Sequence, residues 1–110
     1  MSDDPIRRFT LLVLFQAWQD NATELVVGSS AGSGAHIRYR VEGNLYEMPP
    51  PPARIIPEVI AELGRLAGLP DDAAFPKAGT IDVALSAGHS KWKIQMASAD
   101  ADCILMPIRE

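Results

Sequence analysis

The chain has a single cysteine, Cys103, in 110 residues, so no disulfide can staple the fold, and the expected home is the reducing cytoplasm. Long apolar runs are missing too. The longest near the start, Leu11 to Phe15, falls far short of the roughly 20 residues that cross a bilayer, so no membrane insertion is expected. Arg7-Arg8 ahead of that run does not make a secretory signal, because no small-residue cleavage pattern follows. Positive charge is in deficit: Lys and Arg number 10 against 14 Asp and Glu, a formal net charge of −4. The domain as a whole therefore has no attraction for nucleic acid or anionic membranes. Histidine is scarce. His36 and His89 belong to no ligand-spaced cluster, so neither a metal nor another cofactor is expected.

What is present is enough for one domain, 1–110, with 47% hydrophobic and 22% charged residues, an ordinary soluble composition. Asp3, Asp4 and Pro5 read as a helix start, with carboxylates at the positive end of the dipole and a proline preset for the first turn. A helix from about Pro5 to Asp20 follows, and its apolar residues cover more than one stripe. Phe9, Leu12, Phe15 and Trp18 are thus read as an interaction surface for a protein partner, a second copy of the chain included.

Glu24 to Val27 reads as a short β-branched strand, and Gly28 to Gly34 as a flexible connection. Ile37, Tyr39 and Val41 then alternate with Arg38, Arg40 and Glu42, one apolar and one charged face of a second strand. Gly43-Asn44 is read as the turn, with Leu45 to Met48 returning as a hairpin partner. Pro49 to Pro52 cannot donate ladder hydrogen bonds, and the sheet pauses there. A second helix spans about Arg54 to Ala67, with a true start near Ile56 because Pro57 must sit in the first turn. Ile56, Val59, Ile60, Leu63, Leu66 and Ala67 form its stripe, and Gly68 and Pro70 stop it. Beyond Asp71-Asp72, Ile81, Val83 and Leu85 alternate with polar residues, as do Trp92, Ile94 and Met96 after a turn at Ala87 to Ser90. A last strand runs from about Cys103 to Ile108, with Pro107 predicting an edge position or an early end. The order helix, three strands, helix, three strands predicts an α+β fold, a mostly antiparallel sheet of five to six strands with two main helices packed against it.

The motifs speak against catalysis. The Gly-rich segment lacks the lysine of a phosphate loop, has Ile37 where a dinucleotide fingerprint needs glycine, and leads into a strand instead of a helix. Ser90, His89 and Asp82 lie around one hairpin with no oxyanion hole in view, and are read as a surface turn. Arg38 and Arg40, two apart on a strand, put two guanidinium forks on one face, a geometry that suits phosphate or carboxylate. Lys91 and Lys93 repeat it, and the four would merge into one patch if their strands were adjacent. The bland alternative for both pairs is a solvated sheet face. Cys103, followed by Ile104 and Leu105 and with no nearby base or lysine to stabilise a thiolate, is read as buried.

The stretch Ala22 to Val27, followed by His36-Ile37-Arg38-Tyr39-Arg40-Val41-Glu42-Gly43-Asn44-Leu45, resembles the pattern A-S-D-[IL]-H-I then R-[YF]-R-[IV]-D-G-x-L of the secretion ATPases of type II secretion and type IV pilus assembly. The likeness continues through Pro49 to Pro52, Leu66-Ala67-Gly68-Leu69-Pro70 (M-A-G-L-D in the family) and Gly79-Thr80-Ile81 (Q-D-G-R-I), and so covers nearly the whole chain. In that family the matching region is a PAS-like domain ahead of a RecA-like ATPase domain, packed on neighbouring subunits of a hexamer. The resemblance implies that fold here and sets Arg38 and Arg40 at the family's arginine pair, which reaches nucleotide held by the ATPase domain. The sequence departs from the family at Pro76-Lys77-Ala78-Gly79 (P-Q-D-G), at Lys93 to Ser98 (V-R-V-S) and at Asp100 to Ile104, which lacks the family's G-E. Glu110 stands about where the family's linker to the ATPase begins, and no Walker lysine is present. The expectation is a non-enzymatic interaction module of a secretion, pilus or motility assembly. The alternative is a PAS-like sensor that holds a small ligand or nucleotide phosphate on Arg38 and Arg40, with Lys91 and Lys93.

Overall fold

The computed structural model describes residues 5–30, 34–49, 52–69, 74–85, 88–97 and 102–108. Asp3-Asp4, the prolines at 50, 51 and 70, Asp71-Asp72, and the middles of the Gly-rich segment and of the Ala87 turn lie outside these residues. The elements run α1 (Pro5–Gln19), β1 (Glu24–Ser30), β2 (Gly34–Val41), β3 (Asn44–Met48), a single 3-10 turn (Ala53–Ile55), α2 (Ile56–Leu66), β4 (Lys77–Leu85), β5 (Gly88–Met96) and β6 (Cys103–Pro107). The six strands form one sheet in the order β3-β2-β1-β6-β5-β4, antiparallel at every step. The fold is α+β.

Both helices end on the same device. Asn21 at the end of α1 and Gly68 at the end of α2 have φ of 62° and 74°, in the left-handed region that asparagine and glycine tolerate. Beyond each, a backbone amide reaches back five residues: Ala22 to the Ala17 carbonyl at 2.9 Å, and Leu69 to that of Gly64 at 2.9 Å. A second bond spans three residues, from Asn21 to Trp18 and from Gly68 to Arg65. The last carbonyls are thereby satisfied and the chain leaves each helix in a defined direction.

Helix α2 buries Ile56, Val59 and Leu63 on the predicted stripe, with Pro57 in its first turn. Glu62 is also buried, which its polarity would forbid without a partner. Arg65 supplies one, with Nε at 3.1 Å and a second guanidinium nitrogen at 2.6 Å from Oε1. Helix α1 buries Thr10, Val13, Leu14 and Ala17, a single stripe, and the Thr10 hydroxyl donates to the Ile6 carbonyl at 2.7 Å.

The registers sort the strand residues cleanly. Tyr39, Leu25, Leu105 and Ile94 lie in one transverse row, and Ile37, Val27, Cys103 and Met96 in the next. Together with Ile81 and Trp92 they meet the helices in one core. Trp18 of α1 packs edge-to-face on Trp92, ring centroids 5.8 Å apart, and Gly64 of α2 lies over Met96. A side chain at Gly79 would press on Ala67 at 3.2 Å, so α2 sits close on β4.

Three local expectations change. The hairpin turn is Glu42-Gly43, with φ of 50° and 85°, and Asn44 already pairs with Val41. A two-residue turn with both φ positive matches strand twist, and this register puts Tyr46 opposite Tyr39. Strands β1 and β2 run into the Gly-rich segment, up to Ser30 and from Gly34, where a flexible connection is predicted from Gly28. Pro107 does not mark an edge strand. β6 lies at the centre between β1 and β5, and Pro107 closes it opposite Trp92, beyond its last pairing with β1 at Leu105.

Candidate functional site

The helices cover one face of the sheet, so every second strand residue points the other way. On that open face Val26 of β1 pairs with Ile104 of β6, both half-buried, and Met106 continues the stripe at 37% exposed. Arg38 and Arg40 of β2 flank this apolar stripe on one side, opposite Val26 and Glu24. Lys91 and Lys93 of β5 flank it on the other, with Lys93 opposite Met106. The four cations therefore do not merge. β1 and β6 stand between the two pairs, and three strand spacings make about 14 Å.

The pairs also differ in what they already hold. Arg38 Nε lies 3.6 Å from the Glu47 carboxylate, its cross-strand neighbour on β3, and a guanidinium nitrogen of Arg40 donates to the Gly43 carbonyl at 3.3 Å. Among the described residues no ion pair is formed by Arg40, Lys91 or Lys93. The sequence-predicted arginines thus face one way, but they are bent toward the β2-β3 edge.

At the other end of the open face, His36 and Asp102 reach across β1. His36 Nε2, on a side chain 3% exposed, lies 3.2 Å from an Asp102 oxygen. Gly28 sits directly opposite His36, beneath this bridge. A β-carbon at Gly28 would collide with Asp102 Oδ1, so the missing side chain is what lets the bridge pass. The sequence shows a reason for glycine only once Asp102 is known to be a neighbour.

The triad residues divide between the two faces. His89 Nε2 lies 2.9 Å from Asp82, but Ser90 is opposite Val83 and buried on the helix side. Alternation along β5 separates the Ser90 hydroxyl from the His89 imidazole, so these three residues do not form a triad. Ser90 Oγ and Trp92 Nε1 are buried without a hydrogen-bond partner among the described residues. Burial pushes the Cys103 thiol up to about 12, with the Asp102 charge adding to it. Among the described residues no group of His, Cys, Asp and Glu is arranged to hold a metal, and no helix is long and apolar enough to cross a membrane.

On α1, Leu12 is 63% exposed and Phe15 half-buried, whereas Phe9 and Trp18 pack against the core. The four residues grouped from the sequence therefore face different surroundings, Leu12 pointing furthest into solvent.

A further arrangement has no counterpart in the sequence reading. Where α1 ends against β2 and β3, Asp20, Tyr39, Val41 and Tyr46 line a cleft of about 230 Å³. Tyr39 stacks on Tyr46, centroids 5.8 Å apart and planes at 26°, and its hydroxyl donates to Asp20 Oδ2 at 2.7 Å. The Gln16 amide donates to the same oxygen at 2.9 Å. These two bonds, that from Gln16 foremost, hold the Asp20 carboxyl below its ordinary range, and the Asp20 bond raises Tyr39 above the usual phenol range. The signal that could have located it is the turn: once Glu42-Gly43 is chosen, Tyr39 and Tyr46 must be cross-strand partners.

No family model matches this chain, and no curated protein matches it.

Proposed function

We propose that the chain is a non-catalytic protein-interaction module, related to the PAS-like N-terminal domain of the secretion and pilus assembly ATPases and working in the cytoplasm in a secretion, pilus or motility assembly. The observation that carries this reading is the two-sidedness of the sheet. One face is covered by helices, and the other presents the stripe Val26, Ile104 and Met106 between Arg40 on one flank and Lys93 on the other. Apolar contact supplies the association energy, and the flanking cations select the partner. The surface that fits is an apolar ridge bordered by carboxylates.

Titration of the isotope-labelled chain with the RecA-like core of a type II secretion ATPase tests this reading. Amide signals of Val26, Ile104 and Met106 should broaden or shift, and Arg40→Glu with Lys93→Glu should weaken binding by at least about tenfold through charge reversal on both flanks. A titration that leaves β1 and β6 untouched at several hundred micromolar overturns it. Light scattering in the same range reads self-association, for which the exposed Leu12 is the point of contact to substitute.

A second reading, nucleotide phosphate on Arg38 and Arg40, is favoured by their shared open face. The phosphate must displace Glu47 from Arg38. ATP or ADP at a hundred times its dissociation constant would stabilise the chain by about 2.7 kcal/mol, and the shift should vanish in Arg38→Ala. Equal melting with and without nucleotide removes this reading.

A further inference from the structure

The geometry points to the cleft at the end of α1 as a receptor for a single planar organic cation, the guanidinium of an arginine. Asp20 places an ionised carboxylate in the cleft wall, and both of its hydrogen bonds go to Oδ2, leaving Oδ1 to accept from a ligand. Asp20 follows the last residue of α1, so the negative end of the helix dipole adds to its charge, and the last turn of α1 carries no basic residue to offset either. Asp20 forms no ion pair among the described residues.

The remaining walls suit a flat cation. Tyr46 is 48% exposed and stacked on Tyr39, so the pair offers a supported aromatic face beside the carboxylate. Guanidinium groups stack on such faces and are drawn to the electron-rich ring. Val41 adds an apolar wall for the methylene stem. At about 230 Å³ the cleft lies below the usual range for pockets that enclose whole drug-sized ligands, which favours one side-chain head group over a nucleotide. Val41, Tyr39 and Tyr46 belong to the helix-side rows of the sheet, whereas Arg40 belongs to the opposite face. The site is thus separate from the open face and does not depend on the reading of that face.

The test is a titration of the isotope-labelled full chain, followed by amide shifts, with Nα-acetyl-arginine amide, its lysine counterpart and its citrulline counterpart, the last being a neutral isostere. Arginine should give saturable shifts confined to Asp20, Asn21, Tyr39, Val41 and Tyr46, lysine weaker ones, and citrulline none. Asp20→Asn should weaken arginine binding by at least about fivefold, and Tyr46→Ala, at an exposed edge position, by about threefold. Equal responses to arginine and citrulline overturn the inference, as does the absence of saturation, or unchanged affinity in either variant while its spectrum remains that of the folded chain. A flexible peptide carrying one arginine separates the two sources: tighter binding than the free amide supports an arginine of a partner protein, and equal affinity supports free arginine as the ligand.

Discussion

Gly28→Ala tests the bridge across β1. The new methyl would collide with Asp102 Oδ1 and lie 2.7 Å from its Cγ and 3.1 Å from His36 Nε2. Asp102 must rotate away from the buried imidazole, and a forced rearrangement of packed side chains of this kind costs about 2 kcal/mol in general. Opposing this, alanine restricts the unfolded chain and favours a strand over glycine by about 0.5–1 kcal/mol. The φ of Gly28 is not in the left-handed region, so no backbone strain adds to the cost. The net expectation is a loss of about 1 kcal/mol, or about 4 °C in melting temperature for a chain of this size. Urea unfolding followed by the fluorescence of Trp18 and Trp92, which touch in the core, reads it directly. In an Asp102→Ala background the same Gly28→Ala change should be neutral or stabilise by about 0.5 kcal/mol, because the carboxylate is gone and His36 Nε2, at 3.1 Å, is the neighbour that remains. Equal effects in the two backgrounds would refute the bridge.

Cys103, buried and with its thiol raised to about 12, should not react with a disulfide reagent at neutral pH until the chain is unfolded, and rapid native-state labelling would contradict its place in the core. Ser90→Ala removes a buried hydroxyl that has no partner, so thermal unfolding should show stability held or raised, by up to about 1 kcal/mol; a large loss would mean the hydroxyl is bonded. The lowered Asp20 carboxyl contributes stability that is complete above its unfolded value of 3.8 and lost as pH falls through the folded one. Asp20→Asn should therefore be less stable than the parent from about pH 5 upward and converge with it in acid; a gap that stays constant to the lowest pH refutes the assignment.

The repeating patterns were legible in the sequence. Three-and-four spacing located the α2 stripe, and Pro57 placed its start at Ile56. Alternation in Ile37 to Val41 and in Trp92 to Met96 assigned the right residues to each face. The grouping of Phe9, Leu12, Phe15 and Trp18 shows the limit of the same reasoning. An apolar residue outside the main stripe of α1 can still be drawn inward by a large neighbour, as Trp18 is by Trp92.

The residues by themselves determined the class of the fold, the stop of α2 and the two-faced character of the strands, because hydrophobic period and a left-handed Gly act over a few residues. Tertiary structure alone decided the strand order. That order set β1 and β6 between the two basic pairs, brought Asp102 over Gly28 to His36, and carried the end of α1 to the Tyr39 and Tyr46 stack. Each of these depends on which distant segments pair, and pairing is fixed by burying every apolar face at once, a condition no local window of sequence contains.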